Sequence, residues 1–170
     1  MINIKIADDS DAEIISSLGS ITFTETFGDL FPEPELEDYL IKTFSVEKIS
    51  NSLKKQNNIY WVAYMNETPV GYAKIKLDSR VEEIGCKSQI QLQKIYVLKE
   101  YLDKKVGLAL LNEIMANGEI SSGTLIWLVV LHTNEKAVRF YEKSGFRKFR
   151  EHFHQIGKLN FKYELMVKEI

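Results

Sequence analysis

The order of hydrophobic patterns predicts a mixed α/β fold, with one central, mostly antiparallel sheet of six or seven strands and helices on both faces. Three observations predict it. Three strand-like segments follow one another between Ile59 and Val97. Helical and strand patterns then alternate to the C-terminus. TLIWLVVL at Thr124–Leu131 is almost wholly apolar, the composition of a strand covered on both faces.

The elements follow in order. Ile2, Ile4 and Ile6 alternate with Asn3 and Lys5, which predicts a short strand with one buried face. The acidic DDSD after it caps and charge-complements a helix expected to run to about Ser17. From Phe23 to Phe44 the pattern turns irregular and is broken by Pro32 and Pro34, with ELEDYLIKTF helical again beyond them. VEKISNSLKK reads as one more amphipathic helix. IYWVAYM and VGYAKIKL, rich in aromatic and β-branched residues, are joined by turn chemistry at Asn66–Pro69 and predict a hairpin.

An acidic connection from Asp78 to Ser88 leads to a third strand, IQLQKIYV. Gly107–Ala116 carries helical spacing in Leu108, Leu111 and Met115, and ends at Asn117 and Gly118. After TLIWLVVL a second helix starts near Thr133 or Asn134, either able to cap it, and stops at Gly145. FRKFREHF and FKYELMV close the chain as strands.

With 170 residues, the chain fits one domain spanning 1–170. No apolar run is long enough to cross a bilayer and the N-terminus is not signal-like, so a soluble, cytoplasmic protein away from membranes is expected. A formal net charge of −2 argues against a nucleic-acid binder, which needs a basic face. Cys86 is the sole cysteine, so no internal disulfide and no cysteine-based zinc site can form. His152 and His154 share a strand face but His132 stands apart, and two imidazoles seldom make a site; no metal is expected.

Two segments carry the chemistry: IYVLKEYLDKKVGLALLNEI and LVVLHTNEKAVRFYEKSGF. Together they resemble the GNAT superfamily of acetyl-CoA-dependent acyltransferases. In that family a strand ending in a tyrosine-valine pair leads to a loop with arginine or glutamine, two residues, glycine, one residue, then glycine or alanine. Laid here without a gap, Leu102 takes the first place, Lys105 the first glycine and Gly107 the second. A second register pairs Lys104 with Gly107 and Ala109. In the other segment Asn134, Ala137, Phe140, Tyr141, Gly145 and Phe146 fall on the family's asparagine, alanine, aromatic, tyrosine and glycine-phenylalanine. With ITFTETF, the DYLIKTF helix and the hairpin, the resemblance spans nearly the whole chain, and its N-terminal part looks like bacterial polyamine acetyltransferases of the Pai type.

The resemblance implies N-acetyl transfer from acetyl-CoA, as cosubstrate, directly to a primary amine of a small molecule, polyamines included. It implies that Asp103, Lys104, Lys105, Val106, Gly107, Leu108 and Ala109 hold the pyrophosphate at a helix N-terminus, whose unpaired N–H groups and dipole suit anions. It implies that Ile95, Tyr96 and Val97 offer backbone to the pantetheine arm beside a splayed strand, and that Asn134 both caps its helix and touches CoA. Tyr141 is the implied general acid for the leaving thiolate, its phenol being protonated at neutral pH. The acceptor is expected near Glu25, Phe27, Asp29, Gln91 and Gln93. Gln91 and Gln93 stand where Pai-type relatives tend to have glutamates, so the base is sought among Glu25, Asp29 and His152; imidazole has the right ordinary pKa for that work. A homodimer is left open as an assembly, and a non-catalytic CoA-binding regulatory module is the alternative function.

Overall fold

A computed structural model describes all 170 residues, Met1–Ile170. Seven strands form one mixed sheet in the order β1-β2-β3-β4-β5-β7-β6. They are β1 (Ile2–Ile6), β2 (Asn58–Met65), β3 (Thr68–Lys76), β4 (Gln89–Val97), β5 (Leu125–Leu131), β6 (Arg147–Ile156) and β7 (Leu159–Glu169). β1 with β2, β5 with β7 and β6 with β7 are antiparallel, whereas β4 and β5 run parallel. The helices are α1 (Ala12–Phe27), α2 (Glu33–Phe44), α3 (Val46–Leu53), α4 (Val106–Met115) and α5 (Glu135–Lys143).

The chain divides into two compact units, Met1–Ile75 with Lys94–Asn117, and Lys76–Gln93 with Gly118–Ile170. β4 contributes its first half to one and its second half to the other. In the first unit α1 packs on α2 and α3, and α4 packs on β1 and β2. Its core holds Ile15, Phe44, Trp61, Tyr72, Leu110 and Ile114, each under 2% exposed. In the second, Val81, Ile84, Leu125, Leu165 and Val167 cluster together. There the Gln89 amide accepts the Val81 N–H at 2.8 Å and donates to the carbonyls of Ile84 and Cys86, each at 2.8 Å, pinning the connection before β4.

The N-terminal third departs most from expectation. Asp8 and Asp11 form a reciprocal cap, but the helix after them does not stop near Ser17; α1 runs to Phe27. Thr22, Thr24 and Thr26, which weaken a helical pattern on paper, turn their hydroxyls back to the carbonyls of Leu18, Ser20 and Thr22 at 2.6–2.9 Å. Gly19 lets the Phe44 ring come so close that a Cβ there would meet Cδ1 at 2.4 Å. The interval read as irregular therefore shrinks to a short 3-10 turn, Gly28–Leu30, before α2. In the hairpin the turn proper is Asn66-Glu67, both at positive φ, and Pro69 lies inside β3. β6 and β7 each extend beyond the strands read from the pattern, turning at Gly157 with φ 59°.

Candidate active site

The turn from β4 into α4 is built from an unusual backbone. After Val97 the Leu98 N–H bonds to the Val70 carbonyl at 2.9 Å, and Gly71 leaves room for β4 to approach, since a Cβ there would lie 2.8 Å from the Tyr96 carbonyl oxygen. Lys99–Lys104 then coil as a 3-10 helix, and Lys105 takes the left-handed conformation at φ 62°, ψ 17°. Only glycine adopts that region freely. The chain therefore keeps at Lys105 the backbone shape that a glycine would provide. Val106 is fully buried and anchors the start of α4, one residue before the start read from the pattern, whereas Leu102, Asp103, Lys104, Lys105 and Leu108 are exposed. The first bond of α4 runs from the Ala109 N–H to the Lys105 carbonyl, 3.0 Å. The N–H groups of Val106, Gly107 and Leu108 precede it and so have no partner within the helix. Glu25, two residues from the end of α1, accepts the Lys99 N–H at 2.9 Å.

β4 and β5 share a ladder only from Gln89–Gln91 to Leu125–Trp127. β4 runs six residues further to Val97, while β5 pairs along its whole length with β7. The β4–β5 ladder thus ends at Gln91, six residues before the end of β4. Gln91 accepts a hydrogen bond from the Ser79 hydroxyl at 3.3 Å, and Gln93 is half-buried on the same strand face.

Asn134 caps α5, its Oδ1 accepting the Ala137 N–H at 3.2 Å. Gly145 ends that helix at φ 89°. Tyr141 lies on the buried side of α5 with its ring edge-on to those of Phe140 and Phe146 at 5.1 and 5.6 Å. Burial pushes its phenol well above the ordinary range, so it keeps its proton at any working pH. His152 lies on β6 opposite Tyr163 of β7, its ring 6.4 Å from that of His154. Burial, and then the charges of Arg150 and His154, lower its pKa. Phe27 is buried against Phe23, ring centroids 4.6 Å apart, and Asp29 is exposed in the 3-10 turn beyond it.

The sequence pattern described as the acetyltransferase (GNAT) family matches residues 21–146, most of the chain. The chain belongs to the GNAT acetyltransferase family. An uncharacterised N-acetyltransferase from the pepI 3′ region of Lactobacillus delbrueckii subsp. lactis is 26% identical over 160 residues, 92% of each chain. A spermidine N(1)-acetyltransferase of Thermoplasma acidophilum is 23% identical over 141 residues, 81% of this chain and 83% of that one. Among solved structures, a PaiA N-acetyltransferase of Thermoplasma acidophilum in complex with coenzyme A superposes with a TM-score of 0.75 at 22% identity, covering 100% and 99% of the two chains. Arabidopsis thaliana NAA60 in complex with acetyl-CoA gives 0.71 at 19% identity, covering 100% and 99%. The GNAT fold is thus shared in full, and acetyl-CoA is the cosubstrate of this acyltransferase.

Within this GNAT chain, sequence reasoning passed over one group of side chains in the first unit. Lys94 on β4 places its ammonium 5.0 Å from the centre of the Phe44 ring and 5.5 Å from that of Tyr96. Tyr72 on β3 is fully buried, its ring 5.9 Å from Tyr96, and its hydroxyl has no hydrogen-bond partner. The signal was present in IQLQKIYV. Ile90 and Leu92 are the buried phase of β4, and two residues further the same phase holds a lysine.

Proposed function

We propose that this acetyltransferase moves acetyl from acetyl-CoA directly to the primary amine of a small molecule. The observation that carries the reading is the left-handed turn at Lys105, which supports a phosphate cradle despite the missing glycine. The thioester supplies an activated acetyl group; the rest of the chemistry belongs to the chain. The N–H groups of Val106, Gly107 and Leu108 would take phosphate oxygens, with Lys104 and Lys105 adding positive charge and Asp103 and Ala109 completing the turn on either side. The backbone of Ile95, Tyr96 and Val97 would pair with the pantetheine amides as an added strand does. Asn134 would touch the cosubstrate while capping α5.

Tyr141 would protonate the departing sulfur. Its raised pKa is compatible with that role, because a thiolate desolvated in similar surroundings also gains proton affinity. The amine must shed a proton before it attacks. Glu25 already holds the Lys99 N–H, and Asp29 is exposed, so His152, neutral at neutral pH, is the base we favour. Gln91, Gln93 and Phe27 would border the acceptor.

Release of free thiol from acetyl-CoA, followed over a panel of amines that includes polyamines because of the spermidine-acetylating relative, tests the reading. Thiol release with at least one amine, and a matching acetylated product by mass, is expected. Stabilisation by CoA with no thiol released for any amine would turn the assignment to a CoA-binding regulatory module.

A further inference from the structure

Gly71 on β3 is buried, and what it faces on β4 is mostly backbone. A Cβ there would lie 2.8 Å from the Tyr96 carbonyl oxygen, 3.3 Å from the Val97 Cα and 3.2 Å from the Val97 Cγ2. The φ of Gly71 is not positive, so what glycine supplies here is the missing Cβ and not access to a special conformation. A carbon and a carbonyl oxygen rest about 3.3 Å apart or more, so any larger residue must push that oxygen back by roughly 0.5 Å. Beside this contact the Leu98 N–H donates to the Val70 carbonyl at 2.9 Å and holds the two strands together.

Successive residues of a strand turn their N–H and C=O groups to opposite edges. Leu98 bonds to β3 and the Tyr96 oxygen lies against it, so Ile95 and Val97 turn theirs away from β3. The Tyr96 carbonyl and the Val97 N–H belong to one planar peptide group and point in opposite directions. Pushing that plane at its oxygen swings the N–H at its other end. A side chain at position 71 would therefore act on the Val97 N–H through a rigid unit, without touching it. Hydrogen bonds weaken steeply when they bend, so a small tilt of the donor matters to whatever it binds. The nearest atoms all belong to β4 and none to the turn at Lys105, which leaves phosphate binding there independent of the contact.

We propose that Gly71 is a positioning residue for the pantetheine arm of acetyl-CoA: its missing Cβ sets the Tyr96–Val97 peptide plane, and so the direction in which the Val97 N–H is offered to an amide carbonyl of the arm. This rests on the reading that backbone from Ile95 to Val97 pairs with that arm.

Calorimetric titration compares CoA with the fragment that lacks the arm, adenosine diphosphate phosphorylated at its 3′ oxygen, in wild type and Gly71→Ala. Wild type is expected to bind CoA the more tightly of the two. Gly71→Ala should weaken CoA by about tenfold or more and change the Kd of the fragment by less than about twofold, a split that a general loss of packing would not give. In 15N-labelled wild type the Val97 amide resonance should shift with CoA and not with the fragment. Should Gly71→Ala fold poorly, the same substitution combined with Val97→Ala removes the Cγ2 contact and keeps the one to the Tyr96 oxygen, and the same split is expected. Equal weakening of both ligands, no weakening of CoA, an unmoved Val97 resonance, or failure of both variants to fold assigns Gly71 to strand packing alone and overturns the proposal. Wild type that binds CoA no more tightly than the fragment, or binds neither, would instead overturn the underlying reading of the arm on β4, and the proposal with it.

Discussion

The carboxylate of Glu25 accepts the backbone N–H of Lys99 at 2.9 Å, tying the end of α1 to the first residue of the 3-10 turn that feeds α4. The bond joins residues 74 apart in sequence, and it holds the segment whose shape sets the direction of the α4 N–H groups. Glu25→Ala should loosen that turn. The bond is exposed, so its loss is worth about 1 kcal/mol, near the lower end for a charged acceptor. That corresponds to a roughly fivefold rise in the Kd for acetyl-CoA. Glu25→Gln keeps an acceptor oxygen and should lie between the two. Calorimetric titration with acetyl-CoA measures the order; equal affinity in all three proteins would remove Glu25 from the support of the turn.

Lys105 gives a prediction of opposite sign. A lysine at φ 62° carries strain that glycine does not, and the glycine form loses somewhat more chain entropy on folding. Lys105→Gly should leave stability unchanged or raise it by up to about 1 kcal/mol, and retain acetyl-CoA binding with less salt dependence because one positive charge is gone. Lys105→Ile, with a branched Cβ in the same region, should cost about 2 kcal/mol and weaken binding. Denaturant unfolding of the three proteins checks the stabilities, and titration in low and moderate salt checks the charge.

Tyr141 is surrounded by Phe140 and Phe146, so replacing it with Phe removes only the oxygen. Tyr141→Phe should lower kcat by about 10²-fold or more, the usual loss when a positioned proton donor is removed, with acetyl-CoA affinity retained. Because burial raises the phenol's pKa, the wild-type rate should show no fall from its ionisation below about pH 10. A rate unaffected by the substitution would assign Tyr141 to packing alone.

The parts of this fold legible in the sequence are those where local chemistry and tertiary packing agree. Asn66 stands at the hairpin turn and adopts the positive φ that its type favours, and Asn134 and Gly145 bracket α5 as cap and stop. The burial of TLIWLVVL follows from its composition. Elsewhere packing overrides propensity. Gly19 and three threonines suggest an ending to α1, yet the glycine receives the Phe44 ring and the hydroxyls bond within the helix. The position of the turn between β4 and α4 was legible from the tyrosine-valine pair and the leucines on either side, whereas its left-handed residue was not, because lysine carries no preference for that region. Lys94 was concealed differently: a charged residue in the inward phase of a strand has meaning only once Phe44, far off in sequence, is seen to cover it.

Lys94, half-buried beside the Phe44 ring, also predicts a pH dependence of stability. Its folded pKa is about 8 and its ordinary value 10.5. Between those limits the unfolded chain keeps a proton that the native protein has lost, so stability rises with pH through the window. Below pH 8 both states are charged and the full cost of burying the cation is present, at most about 3 kcal/mol from the difference in pKa. Lys94→Met lacks this term. It should exceed wild type in stability at pH 7 by an amount that shrinks steadily from pH 8 to 10.5. Tyr39, Tyr60, Tyr72 and Tyr141 have raised pKa values and act in the other direction, because above pH 10 the unfolded chain releases phenol protons that the native protein retains. That loss is common to both proteins and cancels in their difference. Urea unfolding at pH 7, 8, 9 and 10 gives the difference directly, and a value constant across the series would mean that Lys94 is solvated in the native state.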